Sequence, residues 1–486
     1  CVRFGEEVAG NKELGLINRG EFTEIRAFIE DGVSSELSGN MIDLCPVGAL
    51  NNKLYSYKAR TWDLKQHPII SPHDCIGSNI FYHVYNNEIV RAIPKENSDI
   101  NQTWLSDRDR FGYQGIYSKD RCYVSKHRKN KKLEIVDSQD IIKKVNNAIK
   151  SSLDKNTSSK IGSFISAQST SEEMFLFQNL LRKLGIKNID HRTNERDFDY
   201  QDTYPLMPSL GCNINDLSEY DNIILIGVNI KTEYPILTVR LNESAKQDTK
   251  IYSYHYFNMD EDFPVEKKFV MNNTDLLSLF QEHTLESCRN KKNLLVIGPN
   301  ITYFSNQSVF LQALDKFAKN INSQIGYLTD FCNSTSGWIL GNVPHRTIGG
   351  VKLDNPGLNA TEMLENDLST LIFYNLDPEN DFHNSSALIN SLQKSECNIF
   401  FTSYLTPIIE KYADYIVPIS TYAESDGSFI NIEGRFQSFS KVITPNSNVI
   451  DGWRALNELN ILNNHQAYTI EPSRSELSST LSKIDF

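Results

Sequence analysis

Lys160-Ile161-Gly162-Ser163-Phe164-Ile165-Ser166-Ala167, followed across Gln168-Ser169 by Thr170-Ser171-Glu172-Glu173, decides the fold of this chain. The first eight residues are an apolar run with strand-forming residues. Thr170 and Glu173 then stand at capping-box spacing, the threonine reaching forward to a free N–H and the glutamate reaching back. Leu176, Phe177, Leu180, Leu181 and Leu184 follow at three- and four-residue steps, which puts them on one face of a helix. Gly185 stops that helix in the left-handed conformation. The stretch is therefore a strand-to-helix unit. Further strand candidates lie at 222–228, 249–254, 293–297, 370–373, 398–401 and 415–418. Strands alternating with helices predict an α/β protein with parallel sheets covered by helices.

Around this centre the other segments read differently. Two strands run into glycine, at Ile226-Gly227 and Ile297-Gly298-Pro299, where α/β folds bind nucleotides. Neither has the full glycine fingerprint, and no Gly-Lys-Ser/Thr loop is present, so plain strand-to-helix turns are expected. N-terminal to the α/β region, Ile80–Tyr85 and Glu88–Pro94 read as two strands joined by a tight Asn86-Asn87 turn. Lys126-His127-Arg128 with Lys129, Lys131 and Lys132 reads as a solvated linker. Trp453 and the amphipathic 451–462 stretch look like a closing helix, and Ser473–Lys483 like a polar tail.

A chain of 486 residues is too long for one core and should divide into two to four domains. No apolar run reaches ~18 residues, so no membrane-spanning helix is expected. The net charge of −12 argues against a nucleic-acid partner, because phosphate binding needs clustered cations. Eight cysteines are scattered without tight spacing, which suits reduced thiols better than a disulfide scaffold. The ten histidines do not cluster, and no metal is assigned to them.

One cysteine has a special context. In Ser35-Glu36-Leu37-Ser38-Gly39-Asn40-Met41-Ile42-Asp43-Leu44-Cys45-Pro46-Val47-Gly48-Ala49-Leu50 the thiol directly precedes proline, as in many ferredoxin-type cluster ligands. Proline turns the chain sharply, and Gly48 allows close backbone approach. Cys1 is the natural companion, yet 43 residues separate the two, so only the fold could bring them together. A buried structural cysteine remains the plain alternative for a lone Cys-Pro.

Cys1-Val2-Arg3-Phe4, Glu7-Val8-Ala9-Gly10, Glu13-Leu14-Gly15, Gly20, the 35–50 stretch and Ala59-Arg60-Thr61-Trp62-Asp63 together resemble the large iron–sulfur subunit of respiratory complex I. That family comprises the 75 kDa subunit of the mitochondrial complex and its counterpart in bacterial NADH–quinone oxidoreductase. The resemblance implies that Cys1 and Cys45 are two of four ligands to a [4Fe–4S] cluster, as the third cysteine of a Cys-x-x-Cys-x-x-Cys run and its distant fourth. It further implies an N-truncated chain, with another [4Fe–4S] and a [2Fe–2S] centre upstream. Arg3, Asn40 and the backbone around Cys45 are candidates for tuning the cluster. The implied partners are the flavin-binding NADH-oxidising subunit and quinone-proximal iron–sulfur subunits. The implied place is peripheral, on the cytoplasmic face of a bacterial plasma membrane or the matrix side of the mitochondrial inner membrane. The chain would then serve an oxidoreductase complex without a bond-making site of its own.

Tyr422-Ala423-Glu424-Ser425-Asp426-Gly427-Ser428-Phe429-Ile430-Asn431-Ile432-Glu433-Gly434-Arg435-Phe436-Gln437 resembles a stretch shared with molybdopterin oxidoreductases. The expected fold is molybdopterin-oxidoreductase-like, but the resemblance implies no molybdopterin. Glu424, Asp426, Glu433 and Arg435 are expected to pair with each other as a structural loop. The expected organisation is residues 1–66 as the end of a ferredoxin-like domain and 67–124 as a small β-rich domain. Residues 125–462 form the α/β region and 463–486 a polar tail. The small domain resembles an iron–sulfur domain, yet Cys75 is its one cysteine before Cys122 and Ser78 stands where a ligand would be, so no cluster is expected there. The alternatives are a molybdenum-dependent oxidoreductase of formate dehydrogenase type and a redox-inactive structural subunit.

Overall fold

The computed structural model describes residues 1–28, 32–155, 157–270, 287–468, 470, 474 and 479. Short elements open the chain. They are helix α1 (Val2–Glu7), the antiparallel pair β1 (Leu14–Ile17) and β2 (Glu24–Ala27), and helix α2 (Asn40–Leu44). Phe4, Leu37 and Met41 bury into an apolar cluster that also holds Tyr234 and Leu237, so this segment leans on the α/β region. A three-stranded antiparallel sheet follows, of β3 (Lys65–Ile70), β4 (Asn79–Tyr85) and β5 (Glu88–Pro94). Asn86 and Asn87 turn between β4 and β5 at φ of 49° and 65°, as a two-residue hairpin requires. Ser106 caps helix α3 (Asp107–Phe111), its hydroxyl accepting from the Asp109 N–H.

Residues 126–132 are not a linker. They form β6 (Lys126–Lys129) and enter β7 (Lys132–Ile135), turning at Asn130 and Lys131 with φ of 50° and 66°. The sequence reading weighed only charge; hairpin formation leaves Lys129, Lys131 and Lys132 exposed at the turn, while Arg128 donates to the carbonyls of Ala413 and Glu410. Helix α4 (Ser138–Lys155), β8 (Ile161–Ile165), α5 (Ser171–Lys183) and β9 (Ile189–Asp190) continue the chain. Next come β10 (Asn222–Ile226), β11 (Lys250–His255), β12 (Lys267–Val270), β13 (Asn293–Ile297) and β14 (Ser323–Tyr327). The last strands are β15 (Thr370–Tyr374), β16 (Cys397–Thr402), β17 (Tyr415–Pro418) and the antiparallel pair β18 (Gly427–Ile430) and β19 (Phe436–Phe439).

The long strands fall into two sheets. One is fully parallel in the order β12-β11-β10-β13-β14. The other runs β7-β6-β17-β16-β15-β8-β9, parallel except for the hairpin at its edge. Asn-Ile-Ile-Leu-Ile at 222–226 and Thr-Leu-Ile-Phe-Tyr at 370–374 are buried on both faces, which is why they read as continuous apolar runs. Alternation then sorts the side chains. Phe164, Phe373 and Phe400 stack on one face, with ring centroids 5.3 and 4.5 Å apart, and pack towards the helices Ala360–Glu365 and Ser385–Lys394. Ile372, Tyr374 and Phe401 point the other way, into a core shared with α4, α5 and the helix Gly452–Leu462. The capping box of α5 is present in both directions, with Glu173 Oε2 accepting the Thr170 N–H at 2.9 Å, and Gly185 ends the helix at φ of 80°. Among the described residues no helix is long and apolar enough to cross a membrane. Most of Ser473–Lys483 lies outside the described residues, but Arg474 reaches Glu172 Oε1 at 2.9 Å.

Candidate functional site

Pro46 disfavours helical geometry for the residue before it, so α2 ends at Leu44 and Cys45 takes φ −80° and ψ 102°. The chain then folds back and brings the N–H groups of Val47, Gly48, Ala49 and Leu50 round the Cys45 sulfur. The Leu50 N–H donates to Sγ at 3.4 Å, and with its neighbours it holds the thiol below its ordinary value. Successive amides aimed at one atom form an anion-holding concavity, and here the anion is a thiolate. Cys1 caps the N-terminus of α1 and packs, half-buried, against the cluster that takes Phe4 and Met41. Gly5 of α1 lies against Met41 of α2, where a Cβ would stand 3.7 Å from the Met41 Cε. The two cysteines thus terminate helices seated in one apolar cluster.

Of the tuning candidates, Asn40 is 1% exposed and grips the backbone of Leu105 from both sides of its amide, at 2.7 and 3.0 Å. Arg3 instead pairs with Glu7 at 2.9 Å on the exposed side of α1. Cys75 is 1% exposed, and burial, assisted by the charge of Asp74, pushes its thiol up to about 12. The 422–437 loop pairs only in part within itself. Arg435 reaches Glu433 at 3.3 Å and Asp99 at 2.9 Å, while Glu424 is bound by the buried Arg121 at 2.6 Å. Arg121 comes from far upstream, so sequence proximity had no means of finding it.

The second place where chemistry could sit is the crevice at the carboxyl ends of the strands, the usual ligand site of open parallel sheets. The ends of β8, β9, β13 and β14 face one cavity of about 80 Å³. Trp338 forms part of its wall. It stacks on Tyr204 at 5.0 Å and 5°, and the Arg192 guanidinium lies 4.9 Å from its ring. Arg192 is held by Asp190 through two bonds of 2.8 Å. Glu195, beside Arg192, is pushed up to about 7 by burial. A hollow of about 200 Å³ at the ends of β8, β15, β16 and β17 is lined by hydroxyls and Glu173. Pockets for drug-sized ligands occupy roughly 300–1,000 Å³, and a dinucleotide-bearing pterin is larger still. Neither space has that volume, and neither presents a cysteine, so the residues here do not fit a molybdenum–pterin group. Among the described residues no three His, Cys, Asp or Glu side chains gather into a metal-sized group.

Two parallel sheets whose carboxyl ends line one crevice, preceded by a small antiparallel sheet and a cysteine-bearing turn, make up the described architecture. Residues 123–460 match the molybdopterin oxidoreductase family model, and the chain belongs to that family. Residues 1–51 match the ferredoxin-like domain of NADH-quinone oxidoreductase subunit 3, and residues 64–114 the NADH-ubiquinone oxidoreductase NDSU1/NuoG-like 4Fe-4S domain. An NADH-quinone oxidoreductase subunit of Rickettsia felis, the one lettered G, is 28% identical over 459 residues, covering 92% of this chain and 62% of the relative. The NADH-ubiquinone oxidoreductase 75 kDa subunit of Reclinomonas americana is 28% identical, covering 96% of this chain and 67% of the relative. The chain therefore spans about three fifths of the length of the Rickettsia relative (62%) and two thirds of the other (67%). Among solved structures, acetylene hydratase from Pelobacter acetylenicus superposes with a TM-score of 0.58 at 12% identity, over 81% of this chain and 69% of that one.

Proposed function

We propose that this chain is an electron-carrying subunit of an NADH:quinone oxidoreductase of the complex I type, in which Cys1 and Cys45 are two of the four ligands to a [4Fe–4S] cluster. The observation that carries the reading is the Cys45 turn, where a thiol held below its ordinary value by successive backbone amides lies inside a ferredoxin-like match. The donor set fits a cluster, since the amides both favour the thiolate and supply the N–H···S bonds that tune iron–sulfur centres. When bound, such a cluster supplies one-electron transfer. Pro46 turns the chain at Cys45, and α1 and α2 pack into one apolar cluster through Phe4 and Met41.

Within 64–114 the one thiol, Cys75, is kept protonated, which supports a domain that has lost its cluster. The crowded crevice supports a body retained as a scaffold. The partners are then the flavin-binding NADH-oxidising subunit and the quinone-proximal iron–sulfur subunits, with the chain attached peripherally on the bacterial cytoplasmic face or the mitochondrial matrix side. Cys45→Ala in the full-length protein is expected to remove one tetranuclear EPR signal while the others persist. An unchanged spectrum overturns the assignment.

A further inference from the structure

The segment Ser106-Asp107-Arg108-Asp109-Arg110 touches α2 at both ends. Asp107 accepts the Gly39 N–H at 2.7 Å and the Ser38 hydroxyl at 2.5 Å, just before the first turn of α2. Its own N–H donates to the Glu36 carbonyl at 2.8 Å. Arg110 donates from Nη2 to Asp43 Oδ2 at 2.7 Å and to Asn40 Oδ1 at 3.2 Å. Asp43 lies in the last turn of α2, two residues before Cys45. The fit is tight, because a Cβ on Gly39 would stand 2.6 Å from the Arg110 Cδ. Arg110 is 1% exposed while Asp43 keeps about a third of its side chain in water, so the cation is buried and its partner reaches in from the surface.

The other two charges of the segment face away from α2 and anchor α3. Asp109 accepts from Ser71 at 2.6 Å and Ser106 at 2.9 Å, and bonds His73 Nδ1 at 2.7 Å. Arg108 donates to Asp74 at 3.0 Å and to the Glu233 carbonyl at 2.9 Å, the latter in the α/β body. One short helix thus ties the cysteine-bearing helix to the small sheet and to the body at once.

We infer that Asp107 and Arg110 are positioning residues for the Cys45 thiolate, fixing α2 so that the amides of residues 47–50 stay aimed at the sulfur. The small domain, without a cluster of its own, would act as the clamp on its neighbour's. This rests on the ligand role proposed for Cys45. Loosening α2 weakens the N–H···S bonds, and removing Arg110 takes away a buried cation. Both changes disfavour the more negative, reduced cluster and lower its midpoint potential.

The test uses the full-length protein with Arg110→Met, Arg110→Lys and Asp107→Asn, read by hydrogen exchange and by potentiometric EPR. Asp107→Asn serves if Arg110→Met does not fold. Arg110→Met is expected to speed exchange of the 40–50 amides by about tenfold or more. It should also shift the g-values and lower the potential of the one signal that Cys45→Ala removes. Arg110→Lys keeps the charge but loses the planar fork, and should show the same changes in smaller measure. Faster exchange with that signal unmoved in both Arg110→Met and Asp107→Asn makes the helix an ordinary fastening and overturns the inference alone. A signal that survives Cys45→Ala overturns the ligand reading and the inference with it.

Discussion

Cys45 sits at the surface end of α2 with four backbone N–H groups round its sulfur, while Cys75, thirty positions later, is 1% exposed beside Ile76 in an apolar cluster. Both lie in segments that match iron–sulfur domain models. The first thiol is pulled down by hydrogen bonds to its ionised form; the second is pushed to about 12 by loss of water. The same side chain is thus a thiol whose ionised form is favoured in one place and a small hydrophobe in the other.

The sharpest way to break this contrast is alkylation of iron-free protein at pH 8. A thiol at about 12 is ionised to only ~10⁻⁴ at that pH, whereas backbone amides favour the ionised form of Cys45, so iodoacetamide should modify Cys45 much faster than Cys75. Mass-spectrometric mapping with comparable rates at both sites would remove the distinction.

Burial should act on carboxyls as it does on Cys75, and Glu195 in the crevice measures that. Its pKa is raised from 4.5 to about 7, so the folded protein binds more protons than the unfolded chain between those values. Stability is then fullest below about pH 4.5 and falls as pH rises to about 7, by about 3 kcal/mol from this group. Urea unfolding at pH 5 and pH 8 checks the sign, and Glu195→Gln should flatten that part of the profile. The smallest effect is at Cys75 itself. Cys75→Ala should cost about 1–2 kcal/mol for the lost contact and small void, and should leave every EPR signal in place. Loss of a signal would restore a cluster role to the small domain.

How much of this was legible follows the range of the interactions. The capping box of α5, the Asn86-Asn87 hairpin and the strands Asn293–Ile297 and Tyr415–Pro418 came directly from local chemistry, because each is made by residues adjacent in sequence. The Lys126–Lys132 hairpin was missed because charge was weighed over turn geometry, and its partner strand β17 lies almost three hundred residues away. Asn40 was legible as a neighbour of Cys45. Asp107 and Arg110 were not, since nothing in their order shows that one helix meets both ends of another nearly seventy residues upstream.

Sequence alone therefore determined the strand-and-helix alternation, the parallel α/β class and the Cys45-Pro46 turn, because propensity, capping and proline sterics act over a few residues. Tertiary structure decided the rest: which thiol is lowered and which is raised, that Trp338 and Arg192 line the crevice, and that α3 bonds both ends of α2. Each of these depends on desolvation or on contacts between distant segments, and neither exists until the chain has folded around them.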